Sequence, residues 1–409
     1  MNPISGDSNP HSSRRRIRTR RILTALATIL ATAVFLIAAG AVLPGIPELG
    51  AFGTIFESFF SLHVVIVGSV ALALALAASR LGAQRSAVVL ATMAIVATLG
   101  ALVPLIAMVR AAHFYGVDIS WGEHLLALAR STPAPPNQTV LYANVDARNL
   151  YADIYLPVNS QKKSAPVLMM HGGGYVGGKR SMFLRGWDRW FTGRGYTVFD
   201  IDYRLAPPPT WNQAAQDVAC AMAWIAAHSG DYRVDPARML LAGQSAGAGL
   251  TLQVAYGLGD GTVQSSCGGN VPQPAAVFAL YPPDDFALGW NLRTKLGSIS
   301  ARNFLTAYIG GSPAEFPDRY RAVSAIYHVR RGLPPTLIAS GTNDHLVPFE
   351  GHVKLVNELN EAGVPNRLIA IPYNDHAYDL VGGSLGAQIT RHALQEFLDK
   401  YLPPTSESN

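Results

Sequence analysis

The sequence predicts an α/β domain with a mainly parallel sheet, preceded by three transmembrane helices. Two patterns support this fold class. Three uncharged apolar runs occupy the first 110 residues, and each is as long as the roughly 20 residues that a helix needs to cross a bilayer. Further along, short runs rich in Val, Ile, Leu and Tyr alternate with helical periodicity, which is typical of a parallel sheet covered by helices on both faces.

The basic charge of the chain is concentrated at its start. The 409 residues carry a net charge of +5. Residues 1–21 hold six arginines and one acidic residue, Asp7, a balance of +5, so the remainder of the chain is neutral. We therefore predict a basic cytoplasmic tail over 1–21 and no nucleic-acid partner, because the positive charge does not extend over a folded domain.

The membrane region is predicted to cover residues 22–112. Its spans are predicted at 22–42, 58–78 and 87–109. The first loop between them lacks Lys and Arg, whereas the second carries Arg80 and Arg85, so the positive-inside rule places the tail and the second loop in the cytoplasm. We expect a multi-pass protein of the cell (inner) membrane whose following domain is extracytoplasmic. A cleaved signal peptide in place of the first span is the alternative, and it leaves that domain on the same side.

The remaining chain is predicted to comprise a connector at 113–140, an α/β domain at 141–403 and a short tail at 404–409. The stretch STPAPPNQT near the end of the connector is rich in proline and small polar residues, which favours an extended spacer. A segment at 286–325 is expected to form a cap over the site together with the connector. Its side chains Trp290, Leu292, Phe304 and Leu305 are expected either to line an acyl pocket or to pack the cap on the core.

Eight apolar runs predict the strands of the sheet, and the first two read as an antiparallel pair. The runs are VLYANV, LYADIYLP, APVLMMHGGG, YTVFDIDYRL, ARMLLAGQS, AAVFALYPP, PPTLIASGTND and NRLIAIPYNDH. Helices are predicted at roughly 183–194, 212–229, 246–258, 349–362 and 384–401. Because such sheets bind ligands at the carboxyl ends of their strands, polar motifs that directly follow a strand are the candidate site.

Gly243-Gln244-Ser245-Ala246-Gly247 ends a predicted strand and opens a predicted helix, which is the context of a nucleophile elbow. The flanking glycines permit close backbone approach, and the sharp turn lifts the hydroxyl of Ser245 off the sheet. The backbone N–H of Ala246 then lies at a helix N-terminus, where a developing oxyanion is stabilised. A second glycine run, HGGG at 171–174, follows another strand and offers further backbone donors to the same point.

A serine nucleophile needs a base that is held by an acid. His376 follows the last predicted strand and Asp344 follows the strand before it, which gives the chain order Ser, Asp, His of α/β-hydrolases. His345 precedes the expected position of the base, and Asp375 adjoins His376 too closely to orient it. Asp284 and Asp285 are the alternative acids.

Residues 141–403 resemble the hormone-sensitive-lipase-like α/β-hydrolases and the bacterial feruloyl/acetyl esterase-like group. The resemblance is carried by HGGGYVGG, DYRLAPPPTWNQAAQDV, GQSAGA, RYRAVSAIYHV, LPPTLIASGTNDHLVP and DHAYD. It implies an α/β-hydrolase fold with an eight-stranded sheet, Ser245 as nucleophile, Asp344 as acid and His376 as base. It further implies an oxyanion hole formed by Gly172, Gly173 and Ala246. No metal-ligand spacing or phosphate-binding loop occurs in the sequence, so we expect neither a metal nor another cofactor.

The sequence departs from the family at Gln244, Ala248, Pro208 and His345-Leu346, where the family usually has Asp, Gly, Glu and Pro-Leu. These positions lie outside the three catalytic candidates but leave the substrate class open. We expect a membrane-anchored serine carboxylesterase or lipase acting on small-molecule or lipid esters. The alternatives are an acyltransferase or deacylase of envelope lipid or glycan that uses the same residues, and a catalytically silent hydrolase fold that binds a partner.

The sequence contains two cysteines, Cys220 and Cys267. An extracytoplasmic location permits a disulfide between them, but Cys220 lies on an apolar helical face, which favours a buried free thiol. The sequence therefore leaves their pairing open, and it does not define the oligomeric state.

Overall fold

The computed structural model describes residues 10–126, 135–157, 163–182, 186–292 and 299–403. The chain forms two compact units, Met1–Arg110 and Ala111–Asn409. The predicted tail at 404–409 and the first nine residues of the predicted basic tail lie outside the described residues.

The first unit consists of three helices, each long and apolar enough to cross a membrane. They are α1 (Pro10–Val42), α2 (Pro47–Arg80) and α3 (Gln84–Phe114). Each helix contains one predicted span and extends beyond it. The helical part of the arginine-rich segment continues α1, because arginine is a good helix former and nothing in that segment interrupts the backbone hydrogen bonds. The backbone of α2 is non-helical at Phe60, where the helix is kinked.

Small residues set the packing distance between α1 and α2. A Cβ atom added at Gly53 would collide with the backbone of Ala41 and Ile37, and one added at Gly40 would collide with the backbone of Leu49. Close backbone contact through glycine is a common means of helix association in membranes, where burial of large apolar side chains supplies little driving force.

The second unit is built on an eight-stranded sheet in the order β1-β2-β4-β3-β5-β6-β7-β8. β1 and β2 pair antiparallel, β2 pairs antiparallel with β4, and the remaining neighbours pair in parallel. The predicted fold class is confirmed, since each of the eight apolar runs contains a strand. The strands are β1 (Gln138–Val145), β2 (Arg148–Tyr155), β3 (Pro166–Met170), β4 (Thr197–Ile201), β5 (Leu240–Gln244), β6 (Ala276–Leu280), β7 (Thr336–Gly341) and β8 (Asn366–Ile371).

Helices connect the parallel strands, and β3, β4, β5, β6 and β7 are buried along their whole length. Residues 183–185 of the first predicted helix lie outside the described residues, and its described part is short. The helices of the second unit after its first strand are α5 (Trp187–Thr192), α6 (Gln213–Ala227), α7 (Ala246–Gly257), α8 (Phe286–Trp290), α9 (Ala301–Ile309), α10 (Pro317–Val323), α11 (Phe349–Glu361) and α12 (Leu385–Tyr401). α8, α9 and α10 lie within the segment predicted to form a cap.

The connector differs from the predicted extended spacer. A short helix, α4 (Trp121–Leu125), lies before the proline-rich stretch and packs on α12. Ser120 caps α4 through its side chain, which accepts the N–H of Glu123, and His124 is fully buried. No periodicity in the sequence indicates this packing, because five residues are too few to show one. Residues 127–134 of the connector lie outside the described residues.

Cys220 and Cys267 form a disulfide. Cys220 lies on the buried face of α6, while Cys267 lies in an exposed loop that precedes β6. The bond therefore ties that loop to the core of the second unit. The sequence left open whether the two cysteines are bonded or free, and in the structure they are bonded.

Candidate active site

Ser245 occupies the turn between β5 and α7 in a conformation that side chains rarely adopt, with φ 53° and ψ −121°. The neighbouring glycines are required by close backbone contacts. A Cβ at Gly243 would collide with the backbone of Gly247, and a Cβ at Gly247 would collide with the carbonyl groups of Met170 and His171. The strained turn thus holds the serine hydroxyl above the carboxyl end of the sheet.

Ser245, His376 and Asp344 form a continuous hydrogen-bonded chain. Nε2 of His376 lies 2.8 Å from Oγ of Ser245, and Nδ1 of His376 lies 2.7 Å from Oδ2 of Asp344. A carboxylate only accepts hydrogen bonds, so Nδ1 carries the proton and the neutral ring presents Nε2 as acceptor to the serine hydroxyl. The other oxygen of Asp344 accepts the backbone N–H groups of Leu346 and Val347, both at 2.8 Å, which fix the carboxylate.

Three carboxylates determine the protonation of His376. Burial lowers the pKa of His376, but the charges of Asp344, Asp375 and Asp379 and the hydrogen bond to Asp344 outweigh it, so the pKa lies above the ordinary 6.5. The side chain of Asp344 is fully buried and that of His376 is largely buried. An imidazolium formed during a reaction would therefore be stabilised within this site.

The glycine loop after β3 lies beside the serine. A Cβ at Gly172 would be 3.2 Å from Cβ of Ser245, and one at Gly174 would meet the ring of Phe304. Gly173 has φ 123° and its carbonyl accepts the N–H groups of Val176 and Gly177, which closes the turn. Among the backbone hydrogen bonds described for this part of the chain, none uses the N–H of Gly172 or Gly173.

His171 and Tyr203 support the glycine loop from below. Their rings stack with centroids 4.4 Å apart, and the hydroxyl of Tyr203 donates to the carbonyl of His171 at 2.7 Å. Burial lowers the pKa of His171, although its hydrogen bond with the carbonyl of Gly172 opposes this. The loop is therefore held by neutral groups.

A second Asp–His pair joins the same two loops as the first. Nδ1 of His345 lies 2.7 Å from Oδ2 of Asp375, and Oδ1 of Asp375 accepts the backbone N–H groups of His345 and His376 at 3.0 and 2.7 Å. Each of the two Asp-His dipeptides thus binds the histidine of the other, which links the loop after β7 to the loop after β8. In the sequence, His345 and Asp375 competed with His376 and Asp344 for the roles of base and acid. In the structure they pair with each other.

The alternative acids occupy other positions. Oδ2 of Asp284 lies 2.7 Å from Nδ1 of His352, whose Nε2 lies 3.1 Å from the hydroxyl of Ser340. The side chain of Asp285 accepts the N–H of Leu288 and caps α8. Neither carboxylate is hydrogen-bonded to His376 within the described part of the chain.

A buried carboxylate behind the serine was missed by the sequence reasoning. Oδ2 of Asp379 accepts the side-chain N–H groups of Gln244 and Trp187 at 2.6 and 2.8 Å, and its Oδ1 accepts the hydroxyl of Tyr281 at 2.5 Å. The ring of Tyr281 contacts that of His376, with centroids 4.6 Å apart. Gln244, which departs from the family pattern, is thus the partner of the last residue of DHAYD, and that motif was the available signal.

A small apolar cavity of about 40 Å³ opens at Ser245. Its lining includes Ala246, next to the serine in the chain, Gly174 of the glycine loop, and Phe304 and Leu305 of α9. Of the four cap side chains singled out in the sequence, Phe304 and Leu305 therefore face the serine. Trp290 and Leu292 are outside the described lining, and Trp290 packs edge-on against Tyr320.

The site and its fold have counterparts among known proteins. The profile of the BD-FAE family matches residues 152–359, just over half of the chain. Esterase LipC of Mycobacterium tuberculosis is 28% identical over 265 residues, which cover 64% of this chain and 64% of LipC. Esterase LipQ of the same organism is 27% identical over 243 residues, which cover 58% of this chain and 55% of LipQ. The chain spans less than two thirds of the length of these relatives.

Solved structures show the same fold. The propionate-bound esterase Est2 of Thermogutta terrifontis superposes with a TM-score of 0.53 at 25% identity, and the match covers 67% of this chain and 97% of Est2. The native form of Est2 gives the same TM-score at 24% identity.

Proposed function

The chain belongs to the BD-FAE family, and from this premise we propose that it is a membrane-anchored serine carboxylesterase. The single observation that carries the proposal is the hydrogen-bonded chain from Ser245 through His376 to Asp344 beside a glycine loop. The esterase names of the mycobacterial relatives and of Est2 support the same reaction class. The reaction is the hydrolysis of a carboxylic ester through an acyl-enzyme.

In acylation, Oγ of Ser245 attacks the carbonyl carbon while Nε2 of His376 takes the hydroxyl proton. Asp344 stabilises the resulting imidazolium through Nδ1. The tetrahedral intermediate then collapses, the carbon–oxygen bond to the alcohol breaks, and His376 gives its proton to the departing alkoxide. Water repeats the sequence on the acyl-enzyme: His376 removes its proton, and Ser245 leaves with that proton as the free acid forms.

The oxyanion of both intermediates is proposed to bind the backbone N–H groups of Gly172, Gly173 and Ala246. Their placement supports this role, because Gly172 lies against the serine and Ala246 begins α7, where the N–H groups have no helical acceptor. Each such donor is worth about 10²–10³ in rate. The acyl group is proposed to occupy the cavity between these donors and α9, in contact with Phe304 and Leu305.

The three apolar helices are proposed to anchor the enzyme in the cell membrane. The six arginines near the start of the chain and Arg80 and Arg85 between the second and third helices support a cytoplasmic location of these segments. An odd number of crossings then places the hydrolase unit outside the cytoplasm. The disulfide between Cys220 and Cys267 fits an oxidising compartment.

The test is hydrolysis of nitrophenyl esters from acetate to palmitate by the full-length chain in detergent. Ser245→Ala is the test variant, and Ser229→Ala, in the loop between α6 and β5, is the matched control. We expect turnover by the wild type and the control, and none above background by Ser245→Ala. The preferred chain length separates a small-acyl esterase from a lipase.

Three results would overturn the proposal. Turnover that survives in Ser245→Ala would exclude this serine as the nucleophile. Product formation only in the presence of an added alcohol or glycan acceptor would identify an acyltransferase that uses the same residues. A folded protein with neither activity would be a binding protein on a hydrolase fold.

A further inference from the structure

The connector helix α4 has two different faces. One face is fixed to the hydrolase unit: the backbone N–H of Ser120 donates to the side chain of Gln388 at 2.8 Å, and Nη2 of Arg391 donates to Glu123 at 2.7 Å. His124 is fully buried, with Nδ1 3.2 Å from the carbonyl of Gly383. These contacts join residues more than 250 positions apart in the chain, so α4 is a fixed part of the unit.

The other face of α4 is apolar and exposed. Trp121 is 39% exposed, Leu125 42% and Leu126 48%, and Phe114, the last residue of α3, is 81% exposed. A single exposed apolar residue is ordinary on a protein surface. Four such residues within thirteen positions of a connector are characteristic of a surface that binds another protein or a membrane. We call Phe114, Trp121, Leu125 and Leu126 the connector patch.

The length of the chain limits what can cover the connector patch. α3 is a candidate membrane span that ends at Phe114, and Trp121 follows seven residues later. Seven extended residues reach at most about 25 Å, so α4 lies close to the point where the chain leaves the bilayer. Tryptophan is enriched at that depth, since its ring favours the boundary between headgroups and acyl chains.

The connector is attached at the end of the sheet that carries the candidate active site. The backbone N–H of Ala370, near the carboxyl end of β8, donates to the hydroxyl of Tyr115 at 3.1 Å. Gly383, just before α12, binds His124 of α4, and Gln388, in the first turn of α12, binds the capping residue Ser120. Both positions follow shortly after His376 in the chain. Because Ser245 and His376 also follow the carboxyl ends of their strands, α4 and the site share one end of the parallel sheet.

We propose that the connector patch inserts into the interface of the leaflet from which α3 emerges and holds the active-site end of the sheet at the bilayer surface. The favoured substrates are then amphiphilic esters whose acyl chains remain in the membrane. The preference for amphiphilic esters rests on the proposed esterase function, whereas the insertion of the patch does not.

The test uses a nitroxide label on the full-length chain in phosphatidylcholine–phosphatidylglycerol nanodiscs. Both native cysteines are in the disulfide, so one introduced cysteine carries the label. The positions are Leu125→Cys, the matched control Val353→Cys on α11, which is also 42% exposed, and Val70→Cys on α2, which is 45% exposed. The readout is the ratio of collisions with dissolved oxygen, which concentrates in the bilayer, to collisions with a water-soluble nickel complex.

We expect the ratio at position 125 to rise well above that at 353 and towards that at 70. Equal ratios at 125 and 353, with a high ratio at 70, would overturn the inserted patch while leaving the membrane anchor intact. A low ratio at 70 as well would overturn both.

The preference for amphiphilic esters is tested with the triple variant Trp121→Ser, Leu125→Ser, Leu126→Ser. We expect a loss of turnover on a long-chain nitrophenyl ester embedded in the nanodisc, with unchanged turnover of dissolved nitrophenyl acetate. If the variant hydrolyses each ester as fast as the wild type does, the preference for amphiphilic esters is overturned. Absence of turnover of both esters in the wild type would instead contradict the esterase function.

Discussion

The two units of the chain distribute large and small side chains in opposite ways. In the helical unit the buried apolar residues are mostly alanines, such as Ala31, Ala71 and Ala94, while large ones such as Ile29 and Val88 are exposed. In the hydrolase unit the largest buried side chains are aromatic, among them Phe199 and Phe278. The same residue types thus serve opposite positions in the two units.

The difference is the one expected for a helical unit in lipid and a hydrolase unit in water. Water drives large apolar side chains into a core, as in the hydrolase unit. Lipid provides no such force, so helices associate there through small residues and leave large ones towards the acyl chains. The reversed pattern of the helical unit supports the proposed membrane anchor independently of the length of its helices.

The largest expected effect concerns the chemistry of the hydrolase unit. Asp344→Asn should lower kcat about 10⁴-fold, because the amide no longer holds the productive tautomer of His376. The pKa of His376 lies above 6.5 in the wild type, so kcat/KM should rise with pH through a value above 6.5 as the base becomes neutral. In the variant this acid limb should move to lower pH, since a carboxylate that raises the pKa is gone. An unmoved limb in the pH–rate profile would remove Asp344 from the site.

The next effect compares two leucines in the two units. Leu359→Ala in α11 removes a fully buried side chain and should lower the free energy of unfolding of the hydrolase unit by about 2–5 kcal/mol. Leu76→Ala in α2 removes one that is 52% exposed and should leave thermal stability in lipid nanodiscs nearly unchanged. Thermal unfolding of both variants in nanodiscs decides between the two patterns, and a large loss for Leu76→Ala would contradict the lipid-facing position.

A smaller effect is expected from a glycine of the helical unit. Gly53→Leu forces α1 and α2 apart, because even a Cβ collides with the backbone of Ala41, and should destabilise their association by about 1–3 kcal/mol. Gly230→Leu in the hydrolase unit is the matched control, since no heavy atom lies within 4 Å of its added Cβ. Heat-induced aggregation in detergent, followed by size-exclusion chromatography, measures both. Equal behaviour of the two variants would refute close packing through Gly53.

The smallest predicted effect tests the second Asp–His pair. His345→Asn removes the hydrogen bond between its ring and Asp375 and should lower kcat about tenfold, with little change in KM. The acid limb of the pH profile should stay in place, because the charge of Asp375 remains next to His376. His392→Asn, on the exposed side of α12, should be neutral. A kcat equal to that of the wild type in His345→Asn would show that the second pair does not position the base.

The sequence was sufficient for features with a local cause. The strands follow from buried apolar runs, and the turn at Ser245 follows from glycines whose Cβ positions are blocked. The packing of α4 was not predictable, since it depends on Gln388 and Arg391, which are distant in the chain. The contacts of Asp379 could not be predicted for the same reason. Its three donors come from separate elements that only the folded sheet brings together.

We propose above that Ser245 is the nucleophile and that His376 activates it. Labelling the full-length protein with a fluorophosphonate and locating the adduct by peptide mass spectrometry tests it most directly. We predict one adduct, on Ser245, which is lost in Ser245→Ala and strongly reduced in His376→Ala. An adduct on a different serine, or an unlabelled Ser245 in a protein that hydrolyses esters, would contradict the claim.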